Sequence, residues 1–326
     1  MTKTPQEIYE LVAPELALVE EELKAYTRSD IATISQIGEY LLAGGGKRIR
    51  PILLLLTAKM LGVASPTSIR LAAVVEFIHN ATLVHDDVID AADTRRGRPS
   101  ANSHWGNPMT VLAGDWLYMQ SFAVALGERN FDVLNTLIEL TQKMVEGELL
   151  QLTLLGKSDT TEEQLLEVVE RKTACLFSGC MRLPAIAAGV NHGSVERLAD
   201  IGKSLGIAFQ LVDDLLDLTS TREVLGKPVV NDLKEGKMTL PVLLAINNGK
   251  PEDTRKVQKV LNDRDFLSVD RSEILSLVER ADALNRTRMM AQSYASRATH
   301  MLEEFPPSIY RDAIVSIPEF ILNRDA

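Results

Sequence analysis

The chain has 326 residues, of which 45% are hydrophobic, so it can bury a large core as one domain or as two. Its net charge of -10 argues against general nucleic-acid binding, and no uninterrupted apolar run reaches the roughly 18 residues that a membrane-spanning helix needs. The amino-terminal stretch Met1–Lys24 is acidic and amphipathic, unlike a signal peptide. We therefore expect a cytoplasmic protein with reduced thiols.

Helical periodicity runs along most of the chain, strand alternation is weak, and no linker rich in Pro, Gly or Ser interrupts it. These features predict one all-α domain over residues 1–326. Local signals for helix ends are a capping box at Thr161, an N-cap at Ser194 and terminal glycines at Gly62, Gly156 and Gly189. The predicted helices are, in chain order, residues 6–25, 31–42, 48–61, 67–90, 110–126, 132–155, 161–188, 195–218, 240–247 and 274–303.

A glycine turn followed by three cations, Gly44-Gly-Gly-Lys47-Arg48-Ile-Arg50-Pro51, enters the third predicted helix. Backbone N–H groups of such a turn, next to a helix start and basic side chains, make a good cradle for an anion. The segment is not a Walker A loop, because no Ser or Thr follows the lysine. It predicts a phosphate site, and a plain basic loop at a helix junction is the alternative.

Two copies of one acidic pattern, DDVID at residues 86–90 and DDLLD at residues 213–217, each end a strongly apolar helical stretch. The outer aspartates of each copy lie about 40° apart on a helix and the middle one within about 100° of either, which predicts three carboxylates on one face. Carboxylates beside apolar helices are costly unless a cation holds them. One copy alone would be interpreted as a solvated face, but the duplication favours a functional site.

Oxygen ligands of this kind suit Mg²⁺, which keeps several waters and takes substrate phosphates as further ligands. A zinc site is disfavoured, because Cys175 and Cys180 lack a CxxC partner pair and His79 and His85 lack an HExxH context. The acidic motifs therefore predict a magnesium and diphosphate site.

Further cations cluster near the two acidic motifs. Arg95 and Arg96 follow the first motif, the triplet Arg171-Lys172-Thr173 lies in a long predicted helix, and Lys227 and Lys237 follow the second motif. Basic side chains on helices usually face solvent. Only their positions relative to the acidic motifs mark them as candidate phosphate ligands.

Five segments, GGGKRIRP, HNATLVHDDVIDAADTRRG, RKT, FQLVDDLLD and GKPVVNDLKEGK, together resemble the trans-isoprenyl (polyprenyl) diphosphate synthases over about residues 40–245. The resemblance implies antiparallel helices around a deep central cavity, with the acidic motifs facing each other across its mouth. It also implies head-to-tail joining of an allylic diphosphate to isopentenyl diphosphate. Such enzymes are usually homodimers, and we expect transient membrane contact when the product leaves.

The resemblance also implies roles for individual residues. Three Mg²⁺ ions are expected, two on the first motif and one on the second. The implied metal ligands are Asp86, Asp90 and Asp213, with Asp87, Asp214 and Asp217 in direct or water-mediated support. The implied contacts of the allylic diphosphate are Arg95, Lys172 and Lys227, and Lys237 is a further candidate. Those of isopentenyl diphosphate are Lys47, Arg50, His79 and Arg96. Thr173 and Gln210 are expected beside the developing allylic cation.

Product length is predicted from the helix that carries the first motif. Ala81 and Thr82 precede Asp86 by five and four residues, which places them about 6 to 7.5 Å deeper along the helix. Short-chain members of the family typically carry bulky aromatic residues there. Small residues predict an open cavity and a product of C30 to C50, the size of a quinone side chain, with Met119 or Phe122 as lower stops. The alternative is that the two residues pack against a neighbouring helix.

Four other interpretations stay open at this point. A short-chain synthase would make C15 or C20 products with the same motifs. A class I terpene cyclase shares the first motif but has no need of GGGKRIRP. An HD-type phosphohydrolase would need more histidines and would leave residues 213–217 unexplained. A regulatory subunit commonly has degraded acidic motifs, whereas both are intact here.

Overall fold

A computed structural model describes residues 3–95, 97–219 and 230–322. Regular structure in these ranges is helical apart from one β-hairpin, which confirms the all-α prediction. The helices are α1 Pro5–Glu10, α2 Ala13–Tyr26, α3 Ala32–Ala43, α4 Ile49–Met60, α5 Pro66–Ile89, α6 Ala101–Trp105, α7 Asn107–Gly127, α8 Phe131–Leu154, α9 Glu162–Val169, α10 Cys175–Ala187, α11 His192–Thr219, α12 Asn231–Lys234, α13 Leu240–Asn247, α14 Pro251–Asp263, α15 Arg271–Arg280, α16 Ala283–Leu302 and α17 Ile309–Leu322. The hairpin pairs β1 Thr94–Arg95 with antiparallel β2 Arg98–Pro99.

The described residues fall into two compact units. The first takes residues within 1–141, 176–202 and 302–316, and the second takes residues within 142–175, 203–301 and 317–326. One domain over residues 1–326 stays a prediction, because compactness alone does not say whether each unit folds by itself.

Most predicted helix ends are confirmed within a few residues. Two of the long predicted helices, however, each correspond to two separate helices in the structure. The prediction 6–25 divides into α1 and α2, because Pro14 has no N–H to donate one turn back. The prediction 274–303 divides into α15 and α16 at Asp282, which takes a left-handed conformation with φ 51°. Helices α6, α12, α14 and α17 and the hairpin are not predicted by the sequence pattern.

Local end signals have mixed outcomes. The Thr161 capping box is present, with Gln164 as its partner, and the three predicted terminal glycines all have positive φ. The N-cap prediction at Ser194 is wrong. The side chain of Asn191 accepts from the Ser194 N–H instead, so α11 begins at His192, three residues before the predicted start.

The core of the first unit lies around α5, which packs against α2, α4 and α7. Four consecutive leucines of α4, residues 53–56, are each at most 1% exposed, so this helix is buried on nearly all sides. Full burial of such a side chain stabilises the fold by about 1.5 to 3 kcal/mol. None of the helices in the described ranges is both long and apolar enough to cross a bilayer.

The core of the second unit forms around α13, in which seven consecutive residues from Leu240 to Ile246 are buried. This helix packs against α9, α14 and α15, which present the buried side chains Leu165, Val257 and Ile274 among others. The loop that precedes α13 is thereby tied to a rigid support. It carries Lys237, one of the predicted substrate ligands.

The predicted helix 161–188 contains a feature that periodicity does not predict, a π-helical turn over Glu170–Ala174. Its flanking residues Val169 and Cys175 keep right-handed helical dihedral angles. The Cys175 N–H donates to the carbonyl of Glu170, five residues back, and the Cys175 thiol donates to the carbonyl of Arg171 at 2.8 Å. Such turns occur often at functional sites, and this one carries the RKT motif.

Candidate active site

The first acidic motif lies at the carboxyl end of α5, and its three aspartates have different environments. Asp86 and Asp90 are half-buried, whereas Asp87 is 2% exposed. The Arg95 Nε donates to Asp87 Oδ1 at 2.6 Å. Burial raises the pKa of Asp87, although the charge of Arg95 opposes the shift. The middle aspartate of the three is therefore turned towards the core, since it lies about 100° around the helix from Asp86.

The β-hairpin after α5 brings Arg95 back to Asp87. Its turn includes Gly97, whose φ of 74° suits glycine, and Arg95 pairs with Arg98 across the ladder. The Tyr40 hydroxyl donates to the Pro99 carbonyl at 2.8 Å and the Arg98 guanidinium lies 4.3 Å from the centre of the Tyr40 ring. These contacts fasten the hairpin to α3. The predicted diphosphate ligand Arg96 lies outside the described residues.

Helix α7 approaches α5 closely beside the same motif. His85 Nε2 lies 3.1 Å from the Val111 carbonyl oxygen and 3.4 Å from Asp115 Oδ1. A Cβ atom on Gly114 would overlap the His85 ring, so this glycine permits the approach. The contact fixes the residue that precedes Asp86.

The glycine turn before α4 uses its three cations differently. Arg48 is structural, with a left-handed φ of 48° and ion pairs to Glu20 at 2.6 Å and Glu76 at 2.7 Å. Lys47 is exposed, and the Arg50 guanidinium lies 4.9 Å from the centre of the Phe177 ring. His79 on α5 is half-buried. The common role of Lys47, Arg50 and His79 in binding isopentenyl diphosphate stays a prediction.

The second acidic motif borders a cavity of about 180 Å³ inside the second unit. Leucine and valine side chains of α9, α11 and α13 supply much of its wall, together with Met238. Polar side chains line the rest. They are Gln151, Lys172, Thr173, Gln210, Asp213, Asp214, Asp232, Lys237 and Thr239. Six of the predicted site residues therefore line this cavity, namely Lys172, Thr173, Gln210, Asp213, Asp214 and Lys237.

Thr173, Gln210 and Asp214 form a hydrogen-bond chain in this wall. The Thr173 hydroxyl donates to Gln210 Oε1 at 2.9 Å, and Gln210 Nε2 donates to Asp214 Oδ1 at 3.0 Å. Burial, and next the charge of Asp232, raise the pKa of Asp214 well above its ordinary value. The amide is bonded at both ends, so the π-turn and α11 are held in one fixed geometry.

The third aspartate of the second motif binds backbone. Asp217 is 4% exposed, and its two carboxylate oxygens accept from the Asn231 N–H at 3.1 Å and the Asp232 N–H at 3.3 Å. The carboxylate thereby caps α12, where unsatisfied N–H groups and the helix dipole favour negative charge. Its direct role as a metal ligand stays a prediction. The predicted ligand Lys227 lies outside the described residues.

The cavity cations each have an acidic partner. Lys172 Nζ pairs with the carboxylate of Glu148 and donates to Gln151 Oε1 at 2.8 Å. Lys237 Nζ lies 2.9 Å from Glu235 Oε2. Glu148, Gln151 and Asp232 are not among the residues predicted from the sequence. Asp232 follows the second motif within its basic loop and could have been noted, whereas the α8 residues carry no comparable signal.

The predicted chain-length residues have unequal access to solvent. Ala81 is completely buried, whereas Thr82 is half-buried and donates its hydroxyl to the His79 carbonyl at 2.7 Å. Of these two residues, only Thr82 therefore retains accessible surface. Met119 is 62% exposed on α7, and its role as a lower stop stays a prediction. Phe122 is half-buried.

The donor set fits a hard divalent cation. Asp213 is exposed, and the burial of Asp214 next to the charges of Asp213, Asp217 and Asp232 leaves this wall rich in negative charge. Within the described ranges no three His, Cys, Asp or Glu side chains are grouped closely enough to hold a metal ion together. Mg²⁺ does not need such a cage, since it binds through one or two carboxylates, waters and substrate phosphates.

Comparison with known proteins identifies the class. The family model described as Polyprenyl synthetase matches residues 31–278. The octaprenyl diphosphate synthase of Escherichia coli (strain K12) is 38% identical over 323 residues, covering 98% of this chain and 99% of the relative. The crystal structure of a polyprenyl synthase from Caulobacter crescentus CB15, complexed with calcium and isoprenyl diphosphate, superposes with a TM-score of 0.94 at 35% identity, covering 100% of this chain and 99% of that one.

A decaprenyl diphosphate synthase structure from Rhodobacter capsulatus has the same TM-score of 0.94 at 34% identity, covering 99% of this chain and all of the other. The chain belongs to the polyprenyl synthetase family. The family predicted from the sequence, the trans-isoprenyl diphosphate synthases of long-chain type, is confirmed.

Proposed function

We propose that this chain catalyses the Mg²⁺-dependent, head-to-tail condensation of isopentenyl diphosphate with an allylic diphosphate such as farnesyl or geranylgeranyl diphosphate. The product is a long-chain all-trans-polyprenyl diphosphate for a quinone side chain. The observation that carries the proposal is the cavity wall in which Lys172, Lys237 and Asp213 lie beside the pair Thr173 and Gln210. Diphosphate ligands and polar oxygens thus adjoin an apolar wall, as an allylic diphosphate requires.

The reaction breaks the bond between the allylic carbon and the diphosphate oxygen. Negative charge grows on the departing diphosphate, and the ammonium groups of Lys172 and Lys237 stabilise that charge most strongly in the transition state. The Thr173 hydroxyl oxygen and the Gln210 amide oxygen stand close to the allylic carbon and lower the energy of its positive charge. The apolar side chains of the cavity exclude water that would otherwise capture the cation.

No protein nucleophile is needed. Isopentenyl diphosphate, whose predicted ligands are Lys47, Arg50, His79 and Arg96, attacks the allylic carbon, and the proton that it loses goes to the departing diphosphate. Bound Mg²⁺ would neutralise the diphosphate charge. Asp86 and Asp90 would hold two ions and Asp213 a third. A relative named for a calcium and isoprenyl diphosphate complex supports an oxygen-ligand cation at such a site.

A long-chain product is supported by two observations. Relatives at 38% and 35% identity are named as octaprenyl and nonaprenyl synthases. No aromatic side chain occupies the positions of Ala81 and Thr82, one turn and more before Asp86. We therefore expect products of C30 to C50.

A homodimer and a cytoplasmic location complete the proposal. Leu112, Met119 and Leu126 are spaced by seven residues along α7 and are 63%, 62% and 56% exposed. An exposed apolar stripe of this kind favours burial against another protein surface, and a second copy of the chain is the occupant that the family resemblance implies. Both cysteines are free thiols, which agrees with a reducing compartment.

The proposal is tested by incubating purified protein with Mg²⁺, radiolabelled isopentenyl diphosphate and either farnesyl or geranylgeranyl diphosphate. Products are dephosphorylated and separated by length. A ladder that ends between C30 and C50 is expected, and chelation of Mg²⁺ should abolish it. A stop at C15 or C20 would replace the long-chain product by a short one. Absence of elongation with either primer would reject the synthase activity in favour of a cyclase or a regulatory subunit.

A further inference from the structure

The Lys172 ammonium group contacts two side chains of α8. Glu148 and Gln151 are three residues apart on this helix and therefore share a face. The Glu148 carboxylate pairs with the Lys172 ammonium, and Gln151 Oε1 accepts from it at 2.8 Å. Gln151 and Lys172 line the cavity, whereas Glu148 does not. The carboxylate therefore meets the ammonium group outside the cavity lining.

The backbone at this contact leaves no room for a side chain on α8. Gly147 lies between the two glutamates of α8, and a Cβ atom on it would lie 2.6 Å from the Lys172 backbone nitrogen and 2.8 Å from the Arg171 Cβ. The absence of a side chain lets α8 touch the π-turn directly. The carboxylate and the ammonium group are thus presented to each other by two elements in close backbone contact.

A second ion pair joins the same two elements and offers an internal comparison. Glu146 lies two residues before Glu148 and pairs with Arg171 at 2.5 Å. The Glu146 side chain is 58% exposed, whereas that of Glu148 is 16% exposed. Solvent screens the outer pair strongly and the inner pair much less. Only the inner pair involves a cation that faces the cavity.

We propose that Glu148 is a positioning residue for the condensation, which holds the Lys172 ammonium group at the cavity wall where the allylic diphosphate leaves. The inference rests on the proposed function. A lysine has a flexible four-carbon stem, and a free one must lose rotamer entropy each time that it binds a phosphate oxygen. The ion pair to Glu148 removes that freedom in advance, so the ammonium group is in place as charge grows on the leaving group.

Two other predicted diphosphate ligands, one in the cavity and one in the hairpin, also pair with a carboxylate. Lys237 pairs with Glu235, and Arg95 pairs with Asp87. A carboxylate thus stands beside each of these three predicted diphosphate ligands. Glu148 differs from Asp87 and Glu235 because it lies on another helix, far from its cation in sequence, and no motif marks it.

The test compares Glu148→Gln with Glu146→Gln, which removes the exposed pair from the same helix. Elongation is measured at varied farnesyl diphosphate and saturating isopentenyl diphosphate. We expect Glu148→Gln to lower kcat about tenfold, with a much smaller change in KM for the allylic substrate. Glu146→Gln should stay within about twofold of the wild type. Circular dichroism confirms folding, and Glu148→Asp, which keeps the charge, should retain more activity than Glu148→Gln.

A double-mutant cycle identifies the route of the effect. If Glu148 acts through Lys172, then Glu148→Gln causes no further loss in a Lys172→Ala background. An equal loss in both backgrounds would overturn the proposal, and so would a fully active Glu148→Gln variant. An inactive wild type would instead reject the proposed function, so the two failures are distinguishable. Should Glu148→Gln fail to fold, Glu148→Asp in both backgrounds gives the same comparison.

Discussion

The two acidic motifs have one sequence pattern and two different structures. In the first, the outer aspartates Asp86 and Asp90 keep accessible surface and the middle one, Asp87, is buried against Arg95. In the second, only Asp213 is exposed, and Asp217 is buried against backbone N–H groups at the start of α12. A repeated pattern therefore does not assign one role to each position.

The difference shows that the aspartates of each motif have two separate roles. One carboxylate of each holds the segment that follows and carries basic residues, since Asp87 fastens the hairpin and Asp217 fastens α12 before Lys237. The accessible carboxylates are left for cations. We infer that Asp86, Asp90 and Asp213 face the metal ions, and that Asp87 and Asp217 organise the loops.

The largest expected effect comes from the accessible aspartates. Asp86→Ala or Asp213→Ala should lower kcat by about 10²- to 10³-fold, because charge on the departing diphosphate loses its stabilisation. The unfolding midpoint should hardly change, since these side chains are not buried. Steady-state elongation rates and thermal denaturation of the same preparations measure both effects. A variant that keeps wild-type activity would remove that aspartate from the site.

Replacing an aspartate that holds a loop should mainly lower the free energy of unfolding. Asp217→Ala leaves the Asn231 and Asp232 N–H groups without their carboxylate acceptor, which should lower the free energy of unfolding by about 1 to 3 kcal/mol. Urea denaturation measures the change. An unaltered free energy of unfolding would contradict the loop-holding role.

Close packing beside the first motif gives a comparable loss of stability. Gly114→Ala places a methyl group against the His85 ring and should cost about 1 to 3 kcal/mol. Gly127→Ala is the matched control near the end of the same helix, because nothing lies within 4 Å of its added Cβ and its φ is not positive. It should be neutral or slightly stabilising. Equal effects of the two changes in urea denaturation would argue against the close approach.

The smallest expected effect lies at the opposite end of α5. Burial raises the pKa of Glu128, but hydrogen bonds from Arg70 and Thr67 outweigh burial and leave the pKa below its ordinary value. The folded pKa is lower than the unfolded one, so the stabilisation is present above the unfolded pKa and is lost as the pH falls through the folded pKa. Glu128→Gln should lower the free energy of unfolding by at most about 1 kcal/mol at pH 7, and should not change it at a pH below the folded pKa of Glu128. Urea denaturation of the wild type and of Glu128→Gln, from pH 7 down to below the folded pKa, measures this difference. Elongation at pH 7 should be unchanged.

The sequence predicted the elements whose signals are local. Helices with strong periodicity, the glycine ends and the Thr161 capping box were confirmed. The break before α2 had a signal in Pro14, which the apolar periodicity of residues 6–25 obscured. The π-turn had none, because a widened turn is a matter of backbone hydrogen bonding that side-chain periodicity does not report.

Predictions for the site divide in the same way. The motif positions located Lys172, Thr173, Gln210, Asp213 and Lys237, which line one cavity. The partners of these residues were not predictable, because Glu148 meets Lys172 across more than twenty residues of chain and only the packed structure brings them together. The burial of Asp87 also escaped the sequence, since a helical wheel gives angles and not the depth of the surrounding core.

The most direct test of the division within each motif is the Mg²⁺ concentration that gives half-maximal elongation, measured for Asp86→Asn, Asp213→Asn, Asp87→Asn and Asp217→Asn. We predict a large increase in this Mg²⁺ concentration for Asp86→Asn and Asp213→Asn, with unfolding midpoints like that of the wild type. Asp87→Asn and Asp217→Asn should unfold at lower temperature and keep the wild-type Mg²⁺ requirement. A raised Mg²⁺ requirement in the latter pair, or an unchanged one in the former, would contradict this division.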